Sequence, residues 1–276
     1  MASCYVLRIA RIGYQEALEL QLRILERVRA AGAEDGVLLL LEHEPVVTIG
    51  RSGTARHLRV PREELARRGI ALHETNRGGD ITYHGPGQLV GYPILYLPEG
   101  RRDVHRFLRS IEEVLIRALR RFGIEAKRVA GYTGVWVEPS AEGGVRNAEC
   151  GDERPARELL PAPHSADRTA KIAAIGVAFR RWTSHHGFAL NVATDLSAFG
   201  LIVPCGIAEC PVTSMQRLLG HAPERRAVED ALIAEFLREF AFASAEECPS
   251  AHALLARLPP PGAVRSNGAA FDSPSR

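Results

Sequence analysis

The sequence predicts an α/β protein in which helices flank a mixed sheet. Three observations predict it: long segments with apolar residues at helical spacing, short aliphatic or β-branched runs between them, and turns marked by glycine and proline. The two periods alternate along the chain, as strands covered by helices require.

Tyr14 to Ala30 opens the series, with Tyr14, Leu18, Leu22, Leu25 and Val28 at helical spacing. Val37 to Leu41 then reads as a buried strand and Val46 to Ile49 as another. Pro61 to Arg68 suits a short helix with proline in its first turn. Asp103 to Phe122 carries the fullest helical signature: Asp103 suits the N-cap, Gly123 the stop, and Phe107, Ile111, Val114, Leu115, Ala118, Leu119 and Phe122 form a stripe facing a sheet. Gly134 to Val137 is a strand, and Ile172 to Trp182 a longer one leading to a turn at His185-His186-Gly187. Phe188 to Val192 continues the sheet, and Val228 to Phe240 closes the fold as an amphipathic helix.

At 276 residues and 46% hydrophobic content the chain can bury a sizeable core in one large domain or two small ones. The expected catalytic domain spans residues 1–245. Within it Glu138 to Thr169, rich in Pro, Gly, Glu and Arg, reads as a flexible insert at about 138–169, because structureless connections above about 12–15 residues are uncommon in compact domains. A C-terminal extension over 246–276 follows, expected to be disordered from about residue 259, where Pro, Ser and Gly replace any apolar period.

A formal charge of +2 argues against a nucleic-acid binder defined by net charge. Arg101, Arg102, Arg106, Arg109, Arg117, Arg120 and Arg121 still offer a local basic patch, on what is equally well a solvated helix face. Cys4, Cys150, Cys205, Cys210 and Cys248 form no Cys-x-x-Cys pair, so neither a disulfide scaffold nor a zinc or other metal site is expected. Val37 to Leu41 falls far short of the roughly 20 apolar residues of a membrane helix, and a reducing cytoplasm is the expected compartment.

Chemistry concentrates in two places. Lys171, His185-His186-Gly187 and Pro204-Cys205-Gly206 lie in one stretch, and the β-rich sequence between Lys171 and Cys205 can fold back to bring them together. A cysteine carries an acyl group as a thioester, but its thiolate is the nucleophile and an ordinary thiol, pKa about 8.5, is mostly protonated at neutral pH. A nearby ammonium lowers that pKa. Read in isolation, such a cysteine is more often an inert core residue and such a lysine a solvated charge. The second place is Arg77-Gly78-Gly79-Asp80-Ile81-Thr82-Tyr83-His84-Gly85-Pro86-Gly87-Gln88, a strand between two tight turns with more polar function than a simple hairpin needs. It carries neither a P-loop ending nor a dinucleotide fingerprint.

These segments, with Lys171-Ile-Ala-Ala-Ile-Gly176, His186 to Val192, Asp195-Leu196, Pro204 to Ile207 and Val212 to Met215, together resemble the bacterial octanoyltransferases of lipoate biosynthesis, the lipoyl(octanoyl) transferase family. The match runs in order from about Tyr5 to Phe240. The resemblance implies the biotin/lipoate protein ligase-like catalytic fold and transfer of octanoyl from octanoyl acyl carrier protein, an acidic partner, to a lysine of apo lipoyl domains. The acceptors it implies are those of 2-oxoacid dehydrogenase complexes and the glycine cleavage H protein. Cys205 would be the acyl-thioester nucleophile and Lys171 would lower its pKa. Arg77, Gly78, Gly79, Asp80, Ile81, Thr82, Tyr83, His84, Ala174, Ile175, Gly176, Gly187, Phe188 and Ala189 would line the substrate site, with His84 or His186 available for proton transfer. The donor is already activated, so no ATP or other cofactor is expected. An ATP-dependent lipoate or biotin ligase of the same fold, which would not need Cys205, and an inactive carrier-binding module are the alternatives.

Overall fold

The computed structural model describes residues 3–32, 35–138, 169–204 and 211–261. Its elements are β1 (Ser3–Ile12), α1 (Tyr14–Ala31), β2 (Asp35–His43), β3 (Val46–Ile49), α2 (Arg62–Arg67), β4 (Ala71–Glu74), β5 (Ile81–His84), β6 (Gln88–Ile94), α3 (Val104–Arg120), β7 (Ala126–Val129), β8 (Tyr132–Val137), β9 (Ala170–Arg180), β10 (Thr183–Asn191), α4 (Met215–Leu219), α5 (Arg225–Phe240), β11 (Ser244–Cys248) and α6 (Ala251–Arg257). The large sheet runs β11-β1-β2-β6-β10-β9-β8-β7, and a small one runs β4-β3-β5. Both are mixed: β1 pairs in parallel with β11 and β2, whereas β6, β10, β9 and β8 are joined antiparallel, and β3 has one neighbour of each kind.

β2 shows why helices lie on both faces. Leu38 and Leu40 enter one core with α3 and α5, while Val37, Leu39 and Leu41 enter the other with α1 and α6, as the two-residue strand period requires. A third cluster, with Val47, Ile81, Tyr83 and Phe199, packs the small sheet against the 196–202 turn.

The helix over residues 103–122 forms as expected, with the Asp103 carboxylate accepting from the Arg106 N–H at 2.9 Å and Gly123 at φ +73°. Several expectations need correction. Pro61 is the N-cap of α2 rather than its first helical residue. The buried stripe of α1 runs through Ala17, Gln21, Ile24 and Val28, leaving Leu18 and Leu22 half-buried. The turn expected at His185-His186-Gly187 lies at Arg181-Trp182 instead, and those three residues pair with Ala178, Val177 and Gly176 inside β10. Polar side chains beside a glycine imitate a turn, yet here they are buried in a continuous ladder. The α5 helix does not close the fold either. The boundary expected after residue 245 cuts β11, and Cys248, Leu254, Leu255 and Leu258 belong to the α1 core. The insert (residues 139–168), the segment 205–210 with Cys205 and Cys210, and the tail from residue 262 lie outside the described residues. No described helix is long and apolar enough to cross a membrane.

Candidate active site

The glycine-rich segment is not a simple hairpin: β5 belongs to the small sheet and β6 to the large one, so the turn between His84 and Gln88 steps from sheet to sheet. The seam encloses a cavity of about 350 Å³. Of the expected lining, Arg77, Gly79, Asp80, Ile81, Thr82, His84, Ala174, Ile175, Gly176, Gly187, Phe188 and Ala189 face it, as do Lys171 and His186. Gly78 and Tyr83 do not. The Gly78 N–H donates to Val177 O at 2.9 Å, and the Tyr83 ring turns into the third cluster, 5.8 Å from that of Phe199.

Two glycines are needed for the approach of backbone to backbone. A Cβ on Gly176 would lie 2.6 Å from Gly78 O, and one on Gly187 2.1 Å from Gly91 O. Arg77 braces the same seam: its guanidinium donates to Thr48 O at 2.7 Å, Thr48 Oγ1 at 2.9 Å and Gly78 O at 3.1 Å, tying the glycine turn to β3.

Lys171 is 5% exposed on β9, its ammonium 4.6 Å from the centroid of the Trp136 ring. Its N–H donates to Pro211 O at 2.8 Å and its carbonyl accepts from Thr213 N at 3.0 Å. A smaller cavity beside it is lined by Pro204, Val212, Ala174, Ala189 and Asn191. The residues just before and just after segment 205–210 therefore both stand at Lys171. A buried chain of side-chain hydrogen bonds holds this region. His84 Nδ1–H donates to Gln88 Oε1 at 2.7 Å, Gln88 Nε2 to Asn191 Oδ1 at 2.9 Å, and Asn191 Nδ2 to Thr213 O at 3.0 Å.

Burial governs the histidines. It pushes His84 down to about 3, helped by His43 and the Arg77 charge, and His186 down to about 3, helped by His185 and Arg77. His186 Nε2 lies 2.9 Å from Asn76 Oδ1, to which it donates, and the backbone N–H of His186 donates to Gln21 Oε1 at 2.7 Å. His43 is pushed down to about 4 by burial. Its Nδ1–H donates to Ile12 O at 3.0 Å, which leaves Nε2 to accept from Tyr92 O–H at 2.6 Å.

Sequence reasoning missed His57, Tyr14 and Tyr92 in the cavity wall. His57 Nδ1 is 2.6 Å from Asp80 Oδ2, and its carbonyl accepts from Val203 N at 2.8 Å, close to Pro204 in sequence. Nothing in the surrounding loop sequence marks it. Tyr92 stood within the glycine-rich stretch already singled out, and Tyr14 was read only as part of an apolar stripe. No group of three or more His, Cys, Asp or Glu suited to a metal occurs among the described residues.

Residues 13–237 match the family described as the lipoyl protein ligase A/B catalytic domain. The octanoyltransferase of Solibacter usitatus is 44% identical over 241 residues, 87% of this chain and 93% of that one. That of Acidobacterium capsulatum is 46% identical over 218 residues, 76% and 78% of the two chains. The Myxococcus xanthus octanoyltransferase is 44% identical over 240 residues, and the match spans 60% of its length. Among solved structures, lipoate-protein ligase A bound with ATP has a TM-score of 0.63 at 19% identity, covering 93% of each chain. A bipartite lipoate protein ligase of Thermoplasma acidophilum has 0.65 at 17%, covering 93% of this chain and 92% of that one. At such identities these two speak for the fold alone, and the expected ligase-like catalytic fold is the one observed.

Proposed function

Because this chain belongs to the octanoyltransferases of the lipoyl protein ligase A/B catalytic family, and so is an acyltransferase, we propose that it moves octanoyl from octanoyl acyl carrier protein to Cys205 and then to a lysine of an apo lipoyl domain. The observation that carries this reading is the placement of Lys171: Pro204 on one side of segment 205–210 and Pro211 to Thr213 on the other both meet it.

In the first step the Cys205 thiolate attacks the donor carbonyl, a new C–S bond forms, the bond to the carrier sulfur breaks, and the carrier leaves as a thiol. The thioester is conserved, so the exchange needs no ATP. In the second, the neutral acceptor amine attacks the acyl carbonyl, a C–N bond forms and Cys205 leaves. Reaching that neutral amine at pH 7 costs about 4–5 kcal/mol for a lysine of ordinary pKa, so a group in the site must accept its proton. His84 and His186, pushed down to about 3, are weak bases for that task. Lys171 is the remaining one of the three residues considered from sequence, and in this reading it stabilises the thiolate before acylation and takes the proton afterwards. Backbone N–H groups around the glycine turns are suited to stabilise the oxyanion. The acceptors in this proposal are the lipoyl domains of 2-oxoacid dehydrogenase complexes and the glycine cleavage H protein, met in the cytoplasm.

The test is transfer without nucleotide. Octanoyl acyl carrier protein and apo lipoyl domain, mixed with the enzyme in the absence of ATP, should yield an octanoylated domain by mass. A requirement for ATP and free octanoate would make the chain a ligase.

A further inference from the structure

The structure divides the basic helix face expected from sequence. Arg109 pairs with Glu112 at 2.6 Å, Arg117 with Glu113 at 2.8 Å, Arg120 with Glu125 at 3.5 Å and Arg121 with Glu235 at 2.5 Å. Arg101, Arg102 and Arg106 have no carboxylate at ion-pair distance among the described residues. They lie at the start of α3, which packs against the β9–β10 turn: Leu97 N–H donates to Trp182 O at 2.8 Å, and the Arg102 guanidinium stands 5.4 Å over the Trp182 ring. Arg181 adds a further exposed charge, while Arg180 reaches Glu26 at 3.7 Å. Glu99 and Asp103 are the acids of this stretch, and the Asp103 carboxylate is engaged as the α3 cap.

Two further observations fall on the same patch. The exposed large hydrophobic residues of the described chain are Val104, 37% exposed, and Trp182, 36% exposed, and both are here. The turn itself is strained: Arg181 and Trp182 have φ of +49° and +63°, left-handed positions that a two-residue hairpin turn normally fills with Asn-Gly. Retaining a bulky aromatic and an arginine there sacrifices stability, as functional sites often do. Exposed Trp and Arg are also the side chains that dominate binding energy at protein interfaces.

We propose that the Arg101, Arg102, Arg106, Arg181 and Trp182 patch docks the acidic carrier protein that delivers the acyl donor. The inference rests on the acyl-transfer reading above. Charge complementarity selects an acidic face, and distance selects the donor over the acceptor. From Gly176 in the cavity wall to Arg181 is five residues of β9, about 16 Å at the usual strand rise. An acceptor lysine reaches one side chain beyond its own backbone, so its domain must sit at the cavity mouth. An acyl thioester on a long flexible arm lets the donor carrier dock this far away.

The test compares two donors, octanoyl acyl carrier protein and octanoyl-N-acetylcysteamine, reading formation of the enzyme thioester by mass. In Arg101→Glu/Arg106→Glu, kcat/KM for the carrier-bound donor should fall by about tenfold or more, with the small donor unchanged. Trp182→Gly, which relieves the left-handed strain and so protects folding, should show the same selective loss. Equal loss with both donors, no loss with either, loss confined to the acceptor step, or wild-type binding to anionic vesicles in place of the carrier would each overturn the proposal. Failure of the wild-type enzyme to form a thioester from either donor would instead overturn the acyl-transfer reading on which it rests.

Discussion

Lys171 holds a buried ammonium against the Trp136 ring while its backbone is pinned to Pro211 and Thr213, so its charge has a fixed place beside the Cys205 segment. Lys171→Met, similar in length but uncharged, should raise the Cys205 thiol pKa toward or above about 8.5. A two-unit rise corresponds to about a hundredfold less thiolate near neutral pH, and the rate should fall by less, since a thiol of higher pKa is the better nucleophile once ionised. Iodoacetamide labelling against pH measures the apparent value for the coupled pair. Cys4 should stay unlabelled, because burial pushes its thiol up to about 12. An unchanged labelling profile in the variant would remove Lys171 from thiolate stabilisation.

The buried histidines make a separate prediction at the same scale. His84 and His186, folded at about 3, and His43, at about 4, would be protonated below about 6.5 in the unfolded chain. Each folded value lies below the unfolded one, so the stability it contributes is complete above about pH 6.5 and declines as pH falls, by up to about 1.4 kcal/mol per unit per histidine. The melting temperature should therefore drop between about pH 6.5 and 4.5, before the arginine-paired carboxylates of Glu113 and Glu247, held below the ordinary range, begin to protonate. His84→Gln should flatten that decline. A melting temperature independent of pH across this window would contradict the assignment of these rings as buried neutral groups. Lys171 and the glycine turn were legible in the sequence because lysine in an apolar strand and paired glycines are unusual locally. His57 was not, because its partner Asp80 is brought to it only by the fold.

At the level of elements, legibility followed burial. Apolar β2, buried on both faces, and α3, with its cap, stripe and stop, are announced by local pattern. β7 and β11 are short edge strands with exposed polar residues, and pairing with a neighbour rather than composition makes them strands. α5 buries Glu229 and Glu235, an arrangement no apolar periodicity signals, and matches them to Arg8, Arg225 and Arg121. The C-terminal elements provide the test. A chain ending after residue 245 loses most of β11 and all of α6, including Leu254, Leu255 and Leu258, each worth about 1.5–3 kcal/mol when fully buried. It should be insoluble or melt far lower, whereas a chain ending after residue 261 should melt like the full one. Equal melting of both would return the boundary to residue 245.

For the whole molecule, the two sheets meet at a seam that holds the cavity, β9 carries Lys171 and cavity-lining residues and ends at the Arg-Trp patch, and the arrangement separates the place of chemistry from the proposed place of docking. The central claim is covalent: the acyl group rests on Cys205 between donor and acceptor. Incubating the enzyme with octanoyl acyl carrier protein, then measuring intact mass and mapping the modified peptide, tests it directly. The account predicts one octanoyl group, on Cys205, absent from Cys205→Ala and discharged by added apo lipoyl domain. Octanoyl mapped to another cysteine, or full transfer activity in Cys205→Ala, would contradict it.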